Sequence, residues 1–194
     1  MDAAPELTHD LLFPLSALRE ASGVSPETAV QELSPAEMPE PFRRLLAHDR
    51  DMTSTLESFH GEAMALRQLV RELRGEVLYR RVALVGAASG FIAEFGAIAI
   101  HLERFGPEPR REILEGSSPL GSILARHRVA YESRPRTFFR LRPGREIAEL
   151  FDLDGEASPC LYLYGRQNDL LTPAGEPLAE VVEILPPVLE ASAG

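Results

Sequence analysis

Cysteine and tryptophan are scarce in this sequence, which has one cysteine and no tryptophan among 194 residues. A single cysteine excludes a disulfide framework within the chain and a cysteine cluster for zinc. That residue, Cys160, adjoins the apolar run 161–164. We therefore interpret it as a buried, unreactive thiol rather than a nucleophile. Aromatic residues make up only 7% of the chain, so we expect a mainly aliphatic core.

Basic residues and long apolar runs are also in short supply. The chain has 20 Lys and Arg against 30 Asp and Glu, which gives a formal net charge of −10. Binding along a nucleic-acid backbone needs an excess of basic residues, so nucleic acid is not an expected partner. No stretch approaches the roughly 18 apolar residues of a membrane helix. The N-terminus also lacks the basic and apolar regions of a secretory signal. These absences predict a cytoplasmic protein with no membrane contact.

The motifs of common metal, nucleotide and hydrolase sites are missing as well. The histidines are scattered along the chain at His9, His48, His60, His101 and His127. None of them forms a His-x-x-x-His or Glu-x-x-His pair on a convincing helix, so we expect no metal site. The chain has no phosphate-binding loop, no Gly-x-Gly-x-x-Gly and no serine in a nucleophile elbow. We expect chemistry or binding without a cofactor.

Composition divides the chain near residue 40. Residues 1–40 are rich in Pro, Glu and Ala and predict an N-terminal extension that wraps the domain or stays partly mobile. Its Ser25-Pro26 and Ser34-Pro35 pairs are typical helix starts, because Ser caps a helix and Pro fits its first position. Residues 41–190 have the length of one domain with a real core.

Helical and strand patterns follow each other in mixed order after residue 40, which predicts an α+β domain with a mostly antiparallel sheet. Residues 64–70 fit either a helix or a strand. The expected helices lie near residues 42–46, 52–59 and 104–115, with Asp51 as a cap of the second. The loop 116–121 is expected to lead into a short helix that contains Ile123 and Leu124. The expected strands are 77–85 and 91–102, paired as a hairpin, and then 160–166 and 178–185.

Arg80 is the most informative charged residue. In a strand over 77–85, it shares a face with Leu78, Val82 and Leu84, so its side chain is expected to point inward. A buried charge needs a partner. Either Asp or Glu pairs with it, or its guanidinium binds the carboxylate of a ligand. Arg81 points the other way and is expected to be solvated.

Two glutamates, Glu180 and Glu183, lie among aliphatic residues of the last strand. Three positions apart, they face opposite sides of a regular strand. The inward one has a tendency to hold its proton unless it is paired, which suits proton handling. The pattern alone does not decide which of the two it is.

A basic run covers residues 134–145 and includes Phe138 and Phe139. Considered apart from the rest of the chain, this combination of basic and aromatic residues is typical of a nucleic-acid contact. We favour a solvated face, or pairing with the acidic segment 146–156.

The order of these pieces resembles the chorismate pyruvate-lyase family over residues 41–187. Its motifs are matched by Leu45–Thr53 (a Leu-rich helix, then Asp-Ser-Met-Thr), Tyr79–Leu84 (the arginine-bearing strand), Ser118–Gly121 (Thr-Pro-Leu-Gly), Leu163–Arg166 (Leu-Trp-Gly-Arg) and Gly175–Pro186 (Gly-Lys-Pro-Leu through Glu-Leu-Phe-Leu-Pro). The resemblance implies one α+β domain whose antiparallel sheet and helical flaps enclose a ligand.

The same resemblance implies a cofactor-independent lyase that converts chorismate to 4-hydroxybenzoate, or a related hydroxybenzoate, and pyruvate. Its substrate would be an aromatic or cyclohexadienyl carboxylate. Arg80 would bind the ring carboxylate, and the backbone N–H groups of Met52 and Leu120 would add hydrogen bonds. Glu183 would face the ring oxygen and assist proton movement.

Two departures leave alternatives open. Arg81 replaces an acidic residue of the family, and the closing strand differs by one residue, so Val182 or Glu183 aligns with the family glutamate. A one-residue slip moves a side chain to the other face, so Glu180 stays an alternative. The fold also resembles the effector-binding domains of GntR-type regulators. That resemblance implies a non-catalytic module that binds a small molecule.

Overall fold

The structure is a computed structural model that describes residues 10–18, 29–153 and 161–187. Three features singled out from the sequence, His9, the Ser25-Pro26 pair and Cys160, lie outside these ranges.

Seven strands form one antiparallel sheet across the described ranges, in the order β1-β5-β6-β7-β4-β3-β2. They are β1 (Val30–Leu33), β2 (Met64–Arg74), β3 (Val77–Gly86), β4 (Ile92–His101), β5 (Glu132–Leu141), β6 (Leu163–Leu171) and β7 (Pro177–Leu185). The predicted hairpin is confirmed as β3 and β4, and the ambiguous segment 64–70 lies within strand β2. Strand β7 pairs with β4 and joins the two halves of the sheet.

Five α-helices accompany the sheet in the described part of the chain. They are α1 (Phe42–Leu46), α2 (Met52–His60), α3 (Pro107–Glu115), α4 (Leu120–Arg126) and α5 (Arg145–Leu150). As predicted, Asp51 caps α2, because its side chain accepts a hydrogen bond from the Ser54 N–H at 2.9 Å. Ser34 begins a short 3-10 helix with a capping box. None of these helices is long and apolar enough to span a membrane. The fold is therefore the α+β domain expected from the sequence.

The two faces of the sheet are covered differently. On one face, residues 10–18 and α5 enclose a cluster that includes Leu15, Phe139, Val182 and Ile184, each fully buried. On the other face, α1 and α2 pack over one end of the sheet, and α3 and α4 pack over the other end. The gap between these two helical layers holds the cavity described below.

The described parts of the N-terminal extension contact the sheet directly. Strand β1 pairs with β5 at the sheet edge. The buried Gln167 donates hydrogen bonds to the carbonyl oxygens of Asp10, at 2.7 Å, and Phe13, at 3.0 Å. The side chain of Leu15 is completely buried beside them.

Two expectations about arginines have different outcomes. Arg81 was expected to be solvated, and this prediction is wrong. Its side chain is only 11% exposed and pairs with Glu146 at 3.0 Å, because α5 covers that face of β3. The basic run forms strand β5 and the turn after it, with its arginines largely at the surface. In the run, Arg145 pairs with Glu149 of the acidic segment.

We predict that Leu15→Ala lowers the free energy of unfolding by about 2–5 kcal/mol, because it leaves a cavity in a packed core. Urea denaturation of the variant and the wild type measures this difference. The matched control is Leu73→Ala, at a leucine that is 50% exposed, and its effect should stay within about 0.5 kcal/mol. Equal effects of the two substitutions would show that residues 10–18 do not contribute to the core.

Candidate ligand-binding site

A cavity of about 100 Å³ lies on the helix-covered face of the sheet. Its floor is formed by side chains that alternate along the strands, and its rim includes the first residues of α2 and α4. The polar and charged residues that line it are Asp51, Thr53, Arg80, Glu94, Tyr131, Ser133, Arg166, Asn168 and Glu183. Ionisable groups from four different strands therefore meet in one place.

Arg80 lies on the cavity floor and has only 1% of its surface exposed. It forms no ion pair with any residue of the described ranges, and its Nε and one terminal nitrogen, Nη1, have no hydrogen-bond acceptor there. Burial, together with the neighbouring charge of Arg71, lowers its pKa to about 10. Of the two sequence alternatives, pairing with a protein carboxylate is not observed among these residues. The guanidinium is left with free donors in the cavity.

The last strand resolves which glutamate points inward. Glu183 is buried and lines the cavity, whereas Glu180 lies on the opposite face and contacts the His101 ring nitrogen at 2.8 Å. Strand β7 is regular between these residues, so a separation of three positions turns the side chains to opposite faces.

Glu183 is not a free carboxylate, because Arg166 of the neighbouring strand β6 pairs with it. The guanidinium of Arg166, fully buried, also donates to the carbonyl oxygens of Leu46, at 2.9 Å, and His48, at 2.7 Å. A longer contact of 3.4 Å reaches the carbonyl oxygen of Arg50. The pair therefore ties the sheet to the loop between α1 and α2.

Glu94 of strand β4 is a cavity residue that sequence reasoning missed. It is 5% exposed, and its Oε2 has no hydrogen-bond partner in the described ranges. Burial raises the pKa of this carboxyl well above its usual value. The charge of Glu183 raises it further, and Arg166 opposes the shift. The neutral, protonated form is therefore favoured. The signal for Glu94 in the sequence was its position as a single glutamate inside the apolar run 91–102.

Met52 and Leu120 are the first residues of α2 and α4, and both line the cavity. The N–H groups in the first turn of a helix have no acceptor within the helix. Hydrogen bonds from these two groups to a ligand remain a prediction. No cluster of metal-ligating side chains occurs in the described ranges.

A larger groove of about 830 Å³ lies at one end of the sheet, lined mainly by apolar residues that include Phe59, Phe91 and Phe151. None of its lining residues carries a buried polar atom without a partner, in contrast to Arg80 and Glu94. The smaller cavity is therefore the candidate site.

Several solved structures share this fold. PhnF from Mycobacterium smegmatis has a TM-score of 0.54 and 11% identity, over 75% of this chain and 70% of that one. The gene product SA0254 from Staphylococcus aureus has a TM-score of 0.50 and 10% identity, over 73% and 90% of the two chains. A GntR-family regulator's ligand-binding domain from Bordetella bronchiseptica is 18% identical over 63% and 85%, with a TM-score of 0.48.

Comparison with protein-family models and with curated proteins gives no match. The likenesses to the first two structures, at 10–11% identity, are likenesses of fold. They agree with a single α+β domain whose helices lie over a sheet. The resemblance to chorismate lyases stays a prediction.

We predict that Arg166→Met lowers the free energy of unfolding by about 3–5 kcal/mol, because it leaves Glu183 buried without its partner. Chemical denaturation measures this loss. The double variant Arg166→Met/Glu183→Met removes both charges and should recover much of it. A double variant no more stable than Arg166→Met would contradict this account of the pair.

We also predict that Glu94→Gln stabilises the protein increasingly as the pH rises. In an unfolded chain, a glutamate ionises near about pH 4.3. The raised pKa of Glu94 means that the folded state keeps a proton that the unfolded state loses. The free energy of unfolding of the wild type therefore falls as the pH rises through this window. Denaturation at pH 4, 6 and 8 tests this, with the smallest difference expected at pH 4. A difference that does not change with pH would contradict it.

Proposed function

We propose that this domain binds a small organic acid through its carboxylate group and performs no chemistry on it, as an effector-binding module does. The observation that carries the proposal is Arg80, which is buried, charged and without an acceptor for two of its nitrogens among the described residues. An uncompensated buried cation is costly to the folded protein. A bound anion would remove that cost at the cavity.

The shape of a guanidinium supports a carboxylate as the bound group. Two parallel N–H donors of an arginine match the two oxygens of a carboxylate, and such bidentate pairs are stronger than neutral hydrogen bonds. The free N–H groups expected at Met52 and Leu120 lie at the same cavity. The three groups together would form an anion-binding end of the site.

The cavity volume limits the size of the ligand. Small-molecule sites usually have about 300–1,000 Å³, and a cavity of about 150 Å³ accommodates benzene. The present volume of about 100 Å³ fits a short-chain acid. An aromatic acid would require the starts of α2 and α4 to move outward.

The second candidate function is the lyase reaction on chorismate, which releases pyruvate and leaves 4-hydroxybenzoate. It is favoured by the presence of Arg80 and Glu183 in one cavity. Proton transfer by Glu183 is disfavoured by its geometry, because its carboxylate oxygen already accepts a hydrogen bond from the Arg166 guanidinium. Binding without chemistry is therefore the function that we favour.

Isothermal titration calorimetry with benzoate, 4-hydroxybenzoate and butyrate tests the proposal. We expect saturable binding of at least one of these acids by the wild type. We expect at least a tenfold weaker affinity in Arg80→Met, equivalent to about 1.4 kcal/mol. The matched control is Arg81→Met, because Arg81 is adjacent in sequence but faces α5 on the other side of the sheet.

The stability of the variants separates a binding defect from misfolding. Without ligand, Arg80→Met should be at least as stable as the wild type, because it removes a buried, unpaired charge. Absence of Arg80-dependent binding would contradict the proposal. Pyruvate release from chorismate by the wild type, lost in Arg80→Met, would instead support the lyase.

A further inference from the structure

The cavity contains two positive and two potentially negative side chains. Arg166 and Glu183 form a pair whose charges cancel. Arg80 carries a positive charge that no carboxylate of the described ranges balances. If Glu94 is neutral, the site has one unbalanced positive charge. A ligand with one negative charge would bring this total to zero.

Glu94 lies away from Arg80 along the floor of the cavity. In the pairing of β3 with β4, Glu94 is opposite Leu84, and Arg80 is opposite Ile98. These two positions are four residues apart, about 13 Å along a strand. The Glu94 carboxyl leans over Gly96, in the direction of Arg80, since its Oε1 lies 3.4 Å from the position that a Gly96 Cβ would occupy. The cavity thus has a cationic end and a carboxyl end.

We propose that Glu94 determines ligand specificity by meeting the far end of the ligand as a neutral carboxyl group. The site would then select a monocarboxylate that carries an uncharged hydrogen-bonding group opposite its carboxylate, and it would reject dicarboxylates. The inference rests on the proposed function, because it concerns the ligand that Arg80 binds.

The unpartnered Oε2 of Glu94 supports this role. A protonated carboxyl group has one O–H donor and a carbonyl acceptor, so it complements a primary amide or a hydroxyl group. A second carboxylate of a ligand would instead enter a buried region that already holds Glu183. Such a group would lose its hydration and meet like charge.

The ionisation of Glu94 would weaken the binding of any anion in the cavity. A negative Glu94 makes the summed charge of the four groups zero, and the attraction for an anion weakens. Affinity should therefore fall as the pH rises through the raised pKa of Glu94. The other ionisable groups that face this region are Arg80, Glu183, Arg166, Asp51 and Tyr131. His48 lies behind Arg166, and burial lowers its pKa.

The sharpest probes are succinate and its monoamide, succinamate, because both have the short chain that the cavity fits and they differ in one charge. Butyrate, which has no polar group at the far end, is the reference. We expect the wild type at pH 7, where both carboxyl groups of free succinate are ionised, to bind the monoamide at least tenfold more tightly than succinate. Titration calorimetry measures both affinities, and Arg80→Met shows whether binding occurs at this cavity.

Two variants of Glu94 separate hydrogen bonding from ionisation. Glu94→Gln keeps a neutral donor and acceptor, so it should bind the monoamide within threefold of the wild type when Glu94 is protonated. In a series of measurements at rising pH, the affinity of the wild type for the monoamide should fall where Glu94 ionises, and the affinity of Glu94→Gln should not. Because His48 is present in both proteins, their difference reports on Glu94. Glu94→Leu should bind the monoamide no better than butyrate.

The outcomes distinguish this inference from the proposed function. If butyrate binds through Arg80, but succinate and succinamate bind equally, the role of Glu94 is wrong and the binding function stands. The same holds if the wild type and Glu94→Gln respond equally to pH. If none of the probes binds in an Arg80-dependent manner, the binding function fails, and this inference fails with it.

Discussion

The buried pair between Arg166 and Glu183 is the interaction on which the site depends. Arg166 joins two adjacent strands of the sheet and holds the backbone carbonyl groups of the loop that leads into α2. Its position therefore determines where the first turn of α2, with Met52, lies over the cavity. A guanidinium is suited to this task because it is planar and has five donors, so one side chain can satisfy a carboxylate and several carbonyl groups. Lysine offers three donors from a single nitrogen and would not span these acceptors.

The pair between Arg166 and Glu183 also affects Arg80, because it occupies the Glu183 carboxylate. Because Glu183 is already paired, Arg80 keeps its charge and its free donors. Active and binding sites often carry such local costs in stability, since a group already satisfied by the protein has nothing to offer a ligand. The low exposure of Arg80 is consistent with a site that retains this cost for binding.

Local patterns in the sequence predicted much of the fold, and long-range charge pairing was beyond them. The β3–β4 hairpin, the Asp51 cap and the inward direction of Arg80 follow from alternation and capping, which act between near neighbours. Strand β5 was not predicted, because Arg134, Arg136 and Arg140 give it the charge of a solvated loop. Glu94 was not predicted as a site residue, because it lies inside an apolar run. The Arg166–Glu183 pair and the cover over Arg81 depend on which strands and helices become neighbours, and one sequence does not reveal this.

Glu94 and Arg80 give the cavity a polarity that neither residue supplies alone. Both are buried and both lack a partner for at least one polar atom, but burial affects them in opposite ways. An arginine stays charged even with a pKa of about 10, whereas a carboxyl group avoids the cost of burial by keeping its proton. A site that combines these two responses is positive at one end and, below the raised pKa of Glu94, neutral at the other. The Arg166–Glu183 pair has no net charge. The protonation of Glu94 therefore decides whether the cavity carries one positive charge or none, and with it the charge of the ligand that would balance the cavity.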